Sequence, residues 1–177
     1  MNTRMKTEPE ILLALDPGTR EMGVVVLENE ELVDYRVKTF RNGRNVKDLL
    51  EQAHRIMTRL LEEFDPDGVV IEKPFFAKTR RSALLVFLVQ ELRSRVRRGK
   101  IDLFEYGPRR VREILLGNPK GTKRDIARHV ADRFPELRQH LHTNAHWKEK
   151  YWSHVFDAVG LALAHRQAVG REQSPRR

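Results

Sequence analysis

One apolar run, Ile11 to Leu15, restricts the fold of this chain more than any other feature. The run ends at Asp16, and the following Pro17-Gly18 pair breaks regular structure. Because five consecutive apolar residues leave no side of a strand for solvent, this run predicts a strand that is buried on both faces. A sheet that contains it must carry helices on both of its faces.

The hydrophobic pattern of the whole chain predicts a mixed sheet. Three strand patterns come first, then helix and strand alternate, and helices follow. The first three strands can pair antiparallel, whereas strands reached through a helix join in parallel by right-handed crossovers. We therefore predict an α/β fold with five strands, three antiparallel and then two parallel. The predicted strands are 11–15, 23–27, 32–37, 69–71 and 101–105, and the predicted helices are 46–64, 79–98, 108–116, one that begins at the Thr-x-x-Asp pattern of Thr122, and 152–167.

Length and composition exclude several classes of protein. At 177 residues the chain is expected to form one domain, 11–168, between a flexible lead (1–10) and a disordered basic tail (169–177). The absence of cysteine excludes disulfides, thiol catalysis and cysteine-based zinc or iron–sulfur sites. No apolar run approaches the ~20 residues of a membrane span. We expect a cytoplasmic protein without membrane association.

Positive charge is concentrated in the middle of the chain. Residues 78–128 hold 15 basic and 5 acidic side chains, whereas residues 1–77 hold 11 and 15. A local excess of arginine attracts polyanions through phosphate pairing and release of counterions. A solvated helix face is the alternative interpretation, but the pattern favours a nucleic-acid partner.

Acidic residues end two of the predicted parallel strands. Asp16 follows the first strand and Glu72 the fourth, so both are expected at the carboxyl edge of the sheet, where α/β proteins place their chemistry. Taken singly, each is as easily a turn or surface acid. Asp157, with His154 one turn before it, is a carboxylate within an apolar helix, where an unpaired charge is costly. Together these residues predict a site for a hard divalent cation.

Five segments resemble the RuvC family of Holliday-junction resolvases. The resemblance covers about residues 11–168 and is carried by several motifs in the same order. These are Leu15-Asp16-Pro17-Gly18-Thr19, Val70-Ile71-Glu72-Lys73-Pro74-Phe75-Phe76, Tyr106-Gly107-Pro108-Arg109-Arg110-Val111-Arg112, Gly117-Asn118-Pro119-Lys120-Gly121-Thr122-Lys123-Arg124-Asp125-Ile126, and His154-Val155-Phe156-Asp157-Ala158-Val159-Gly160-Leu161-Ala162.

The resemblance implies a ribonuclease H-like fold and a homodimer that cuts four-way DNA junctions with Mg²⁺ or Mn²⁺. Asp16, Glu72 and Asp157 match the metal-binding carboxylates of the family, and His154 falls where the family has a further acid or a histidine. Two cations per site would support hydrolysis that leaves a 5′-phosphate. Lys123 matches a lysine near the scissile phosphate. A branch-migration helicase is a further candidate partner.

Nucleic-acid contacts also follow from the resemblance. Phe75 matches an aromatic residue that stacks on a junction base, although an interchange with Phe76 is plausible, and Arg112 stands where the family has a second lysine. The helix 79–98 corresponds to the element that pairs two subunits, with ordinary core packing as the alternative. The remaining predicted phosphate contacts are Arg80, Arg81, Lys120 and Arg124.

The sequence also allows other interpretations of the polar stretch and of the substrate. The polar stretch 138–152 contains three histidines and three large aromatic residues, which could bind zinc, stack on bases or cap the sheet. The acids do not distinguish a junction from RNA, a hybrid or another branched DNA, and a junction-binding protein without catalysis is a further possibility. A kinase of the actin and sugar-kinase type needs two such domains, for which the chain is too short. The residues in question in the polar stretch are His140, His142, His146, Trp147, Tyr151 and Trp152.

Overall fold

A mixed sheet forms the centre of the computed structural model, which describes residues 10–40, 45–74, 80–141 and 146–173. The strand order is β3-β2-β1-β4-β5. The first three strands are antiparallel, and β4 and β5 join β1 in parallel, as the sequence predicts. The strands are β1 (Ile11–Pro17), β2 (Glu21–Glu28), β3 (Glu31–Thr39), β4 (Gly68–Glu72) and β5 (Asp102–Tyr106).

Helices cover both faces of this sheet. Two helices pack on one face, and three helices with a short 3₁₀ helix pack on the other. None of the described helices is both long and apolar enough to cross a bilayer. The first face carries α1 (Val46–Phe64) and α2 (Arg80–Arg98); the second carries α3 (Pro108–Leu116), α4 (Lys123–Arg133), α5 (His146–Gln173) and the 3₁₀ helix Pro135–His140.

Strand β1 divides the interior into two cores. Leu13 and Leu15 pack with α1 and α2, whereas Leu12 and Ala14 pack with the helices of the opposite face. All four side chains are fully buried, which confirms the prediction of a strand covered on both sides. Burial of a leucine side chain contributes about 1.5–3 kcal/mol, so a polar residue at any of these positions would be strongly destabilising.

Side-chain caps explain where two helices begin. The side chain of Asn45 accepts a hydrogen bond from the amide of Asp48 (2.9 Å), which starts α1 at the predicted residue. Thr122 and Asp125 form the predicted capping box of α4, in which each side chain bonds the backbone of the other. These caps satisfy amide groups that have no partner within the helix.

The end of the chain differs from the prediction. Helix α5 begins at His146 rather than at 152, and it continues to Gln173 although the tail was expected to start at 169. Once a buried segment has nucleated a helix, each further residue adds a hydrogen bond at little cost, so polar flanks without apolar periodicity extend it. An unpredicted 3₁₀ helix, Pro135–His140, ends within the polar stretch.

A glycine in the sheet lets α5 lie close to it. A Cβ on Gly23 of β2 would fall 2.0 Å from the carbonyl oxygen of His154, so α5 contacts the sheet backbone at that point. A Cβ on Gly160 would meet Ile126 of α4 at 2.8 Å, so this glycine permits packing between two helices.

Candidate active site

Parallel pairing brings two carboxylates to one edge of the sheet. Leu15 of β1 is paired with Ile71 of β4, and the next residue of each strand is an acid, Asp16 and Glu72. Asp16 is nearly buried, with 7% of its surface exposed. Each carboxylate belongs to a strand whose apolar side chains pack into both cores.

Helix α5 supplies two further side chains to the same edge. The imidazole Nδ1–H of His154 donates a hydrogen bond to Oδ2 of Asp16 (2.6 Å). One turn later, Asp157 forms an ion pair with the ammonium group of Lys123, which begins α4. The Asp157 side chain is 12% exposed and that of Lys123 is 68% exposed, so the cation covers the acid on its solvent side.

Burial and mutual repulsion raise the pKa values of Glu72 and Asp157. Desolvation, together with the negative charges of Asp16 and Asp157, raises the pKa of Glu72 to about 8, although Lys123 and Arg112 counteract the shift. Desolvation and the charge of Asp16 likewise raise the pKa of Asp157. Burial and nearby like charges both favour the protonated form of a carboxyl group, so shifts of this kind mark a site where a proton or another cation is held.

Two basic side chains, Lys123 and His154, pair with these acids. Burial lowers the pKa of Lys123. The negative charge of Asp157 and its hydrogen bond with Lys123 outweigh burial, so the pKa of Lys123 is raised. Burial also opposes protonation of His154, and the hydrogen bond and charge of Asp16 again prevail and raise the pKa. No three His, Asp or Glu side chains of the described ranges form a preassembled metal cage. Instead, Lys123 pairs with Asp157 and His154 pairs with Asp16.

The residues present nevertheless fit a hard divalent cation. A cavity of about 70 Å³, lined by Glu72 and Asp157 with Lys123 and Arg112, lies between β4, α3, α4 and α5. This space is larger than a single water requires. Ionised carboxylate oxygens are the ligands that Mg²⁺ and Mn²⁺ prefer, so an ion bound here would take the place of the proton on Glu72.

The predicted nucleic-acid residues are spread around this edge. Arg112 lines the small cavity, Arg124 is exposed and lines a larger neighbouring one, and Lys120 is exposed in the turn between α3 and α4. Phe75 and Phe76 lie outside the described residues, as do the side chains of Arg80 and Arg81.

The aromatic part of the polar stretch is a packing cluster. The ring of His140 stacks on that of Trp152, with centroids 3.6 Å apart, and Tyr35 meets both rings. This contact favours the alternative in which Trp152 caps the sheet. His142 and the side chain of His146 lie outside the described residues, so the zinc alternative remains without a described ligand set.

Glu21 is a site residue that the sequence analysis missed. Its carboxylate Oε2 lies 3.8 Å from Nε2 of His154, so the imidazole stands between two acids, Asp16 and Glu21. In a hairpin, the second strand starts at the edge where the first ends. Glu21 begins β2, and this position was the available signal.

Known proteins share this sequence pattern and fold. The model of the family described as crossover junction endodeoxyribonuclease RuvC matches residues 12–165. The RuvC of Porphyromonas gingivalis is 30% identical over 128 residues, which are 70% of this chain and 68% of that protein. The RuvC of Cytophaga hutchinsonii is 27% identical over 127 residues, 69% of this chain and 64% of that protein. The matched segments thus span about two thirds of these relatives.

Structural comparison leads to the same group. The structure described as T. thermophilus RuvC in complex with Holliday junction substrate aligns with a TM-score of 0.76 at 19% identity, covering 92% of this chain and 96% of that chain. At this identity the likeness establishes the fold, an α/β sheet of the ribonuclease H-like type. Because the family model matches nearly all of the described domain, the chain belongs to the RuvC family.

Proposed function

We propose that this protein is a metal-dependent endonuclease that cuts four-way DNA junctions by hydrolysis of phosphodiesters. The observation that carries the proposal is the meeting of Asp16, Glu72 and Asp157 at one edge of the sheet, next to the cation Lys123. Carboxylates that repel one another beside an exposed cation suit a site that takes up divalent ions and a phosphate. Membership of the RuvC family supports the choice of a four-way junction as substrate.

The three carboxylates, with His154 as a further ligand, are the residues we assign to metal binding. Two Mg²⁺ or Mn²⁺ ions bound there would polarise the scissile phosphate and assist the attack of water, leaving a 5′-phosphate. The oxygen-rich donor set and the small cavity beside Glu72 and Asp157 support this assignment.

The side-chain cations of the chain act directly on the phosphate. The Lys123 ammonium is mostly exposed, so it can turn from Asp157 toward a phosphate whose negative charge grows in the transition state. Arg112, on the wall of the small cavity, can hold the neighbouring phosphate oxygen as a fork of two donors. Asp16 orients the imidazole of His154 through their hydrogen bond, with Glu21 on its far side.

We extend the proposal to a homodimer. Phe87 on α2 is 54% exposed, which leaves a large apolar side chain in solvent on the helix expected to pair subunits. A symmetric pair of active sites matches two strands of a symmetric junction. A branch-migration helicase as partner, and a cytoplasmic location, remain predictions.

The experiment is a cleavage assay with a synthetic four-way DNA junction. The purified protein is incubated with the junction and Mg²⁺ or Mn²⁺, in parallel with linear duplex DNA, RNA and a hybrid, and the nicks are mapped. We expect paired nicks in the junction. The variants Asp16→Asn and Asp157→Asn should lose cutting but keep junction binding, because less negative charge then faces the phosphates.

A matched control and two outcomes decide the matter. Asp132→Asn removes a carboxylate that is 81% exposed on α4, and this variant should cut like the wild type. Cutting by Asp16→Asn or Asp157→Asn at the wild-type rate would remove these residues from the proposed site. Faster cutting of RNA or a hybrid than of the junction would replace the proposed substrate.

A further inference from the structure

A second cavity, larger than the first, adjoins the proposed active site. It has a volume of about 340 Å³ and lies between α4, α5 and the 3₁₀ helix. Lys123 and Asp157 line both cavities, so the larger one opens beside the proposed phosphate position. Its volume lies in the range of ligand-binding pockets, which is about 300–1,000 Å³. We call it the α4–α5 pocket.

Apolar side chains line the interior of the α4–α5 pocket. Phe156 of α5 is almost fully buried beneath it, and Ala127 of α4 and Leu141 form further walls. These three residues belong to the same core cluster on this face of the sheet, so the walls are held by packing. An apolar pocket with an aromatic side chain suits a flat ring better than it suits a hydrated ion.

Two arginines line the pocket toward solvent. Arg124 and Arg128 are exposed on consecutive turns of α4. The guanidinium of Arg128 lies 3.6 Å from Asp125, in an exposed pair that stabilises little and can exchange for another anion. Together with Lys123, the arginines provide positive charge around an apolar interior.

The ring of His140 completes one wall. It is fixed by stacking on Trp152 and by the edge contact with Tyr35. Burial lowers the pKa of His140, so the imidazole is neutral at neutral pH and presents a ring to the pocket rather than a charge. This wall is therefore also suited to contact with a planar group.

We propose that the α4–α5 pocket receives one unstacked nucleotide of the cleaved strand, adjacent to the scissile phosphate. The base enters between Phe156, Ala127 and His140, and Arg124 and Arg128 bind its phosphate. This inference rests on the proposed nuclease function, because the pocket shares Lys123 and Asp157 with the proposed site. Taking a base out of the stack costs least where its pairing is already interrupted. Cutting then depends on the base that fills the pocket.

The test uses four-way junctions altered at single nucleotides. The position of the nick made by the wild-type protein is mapped first. Each nucleotide that flanks the nick is then replaced in turn by an abasic site, to remove the base, or by 4-thiothymidine, to allow zero-length photocrosslinking. Affinity and crosslinking are measured in EDTA, so that they report contact without cutting, and nicking is measured separately with Mg²⁺.

Two variants and one control are compared with the wild type. Ala127→Leu fills the pocket from a helix that tolerates leucine well, and Arg128→Ala removes a rim cation without altering the interior. Arg59→Ala is the control, because it removes an exposed arginine from α1 on the opposite face of the sheet.

We expect one flanking base to crosslink to a peptide that contains Phe156 or His140, and its removal to weaken junction binding about tenfold, as for loss of one stacked base. Ala127→Leu should lose that crosslink and bind intact and abasic junctions equally. Arg128→Ala should weaken binding of both junctions, while Arg59→Ala retains the wild-type pattern. If Ala127→Leu does not fold, the wild-type crosslink and the abasic comparison with Arg128→Ala still decide the matter.

The outcomes separate this inference from the proposed function. If the wild type binds and cuts the junction but ignores the abasic change, and Ala127→Leu retains the crosslinks, the pocket inference is wrong and the nuclease proposal stands. If the wild type neither binds nor cuts four-way junctions, both proposals are overturned.

Discussion

Replacement of Glu72 by glutamine should stabilise the metal-free protein at alkaline pH. Desolvation and the charges of Asp16 and Asp157 raise the pKa of Glu72 from 4.5 to about 8. A carboxyl group whose pKa is higher in the folded state contributes stability that is present in acid and is lost as the pH rises through that higher value. The wild type therefore loses stability between about pH 5 and pH 8. Glutamine keeps the shape of the side chain and has no charge to develop.

The size of the effect follows from the shift. A change from 4.5 to about 8 corresponds at 1.36 kcal/mol per unit to about 5 kcal/mol as an upper bound. Because water penetration and structural relaxation reduce the real penalty of burying a charge, we expect about 2–4 kcal/mol. In a chain of this size each kcal/mol moves the melting temperature by about 2–4 °C, so the variant should melt roughly 5–15 °C higher at alkaline pH.

The assay is denaturant unfolding in EDTA at about pH 5 and about pH 9, which bracket the titration. The difference in free energy of unfolding between Glu72→Gln and the wild type should grow with pH in favour of the variant. Glu62→Gln, an exposed change on α1, serves as control and should follow the wild type. Saturating Mg²⁺ should stabilise the wild type more than the variant, because a bound ion replaces the missing proton. An equal difference at both pH values would refute the reasoning.

Three further changes test separate parts of the site. His154→Asp should retain junction cutting with a changed preference between Mg²⁺ and Mn²⁺, since an acid keeps a ligand there; a folded but inactive variant in the nicking assay would count against a ligand role. Lys123→Gln should lower the cutting rate about 10²–10³-fold with a smaller change in junction affinity, as expected for a group that acts on the transition state; an unchanged rate in single-turnover nicking would exclude that role. Gly23→Ala should destabilise the fold by about 1–3 kcal/mol, because its Cβ would lie 2.0 Å from the His154 carbonyl oxygen; chemical denaturation that shows no loss would contradict this contact.

Local signals were sufficient for much of the fold. The apolar runs predict β1 and β4, helical periodicity predicts both ends of α1, and the Thr122 pattern predicts the start of α4. Each of these elements is decided by side chains within or directly beside it. The mixed sheet then follows from connection rules, because a strand reached through a helix has to be parallel.

Contacts between distant segments could not be read from the same patterns. Helix α5 begins at His146 in a polar stretch where no apolar period marks its start, and the contact between His140 and Trp152 joins segments that local periodicity does not connect. The packing partner of Gly160 could not be predicted for a related reason. A small residue marks a close approach, but which neighbour approaches depends on how the helix is rotated against the rest of the molecule.

In the candidate site, the sequence predicts where the acids lie but not which basic side chains pair with them. That Asp16 and Glu72 share an edge follows from parallel strands alone, whereas the pairing of His154 with Asp16 and of Lys123 with Asp157 depends on the placement of α4 and α5. Those two pairs account for two of the three clustered carboxylates and leave Glu72 as the acid that keeps a proton near neutral pH. A divalent cation that enters beside Glu72 must therefore displace this proton. Below about pH 8 the apparent affinity for this cation should fall close to tenfold per pH unit.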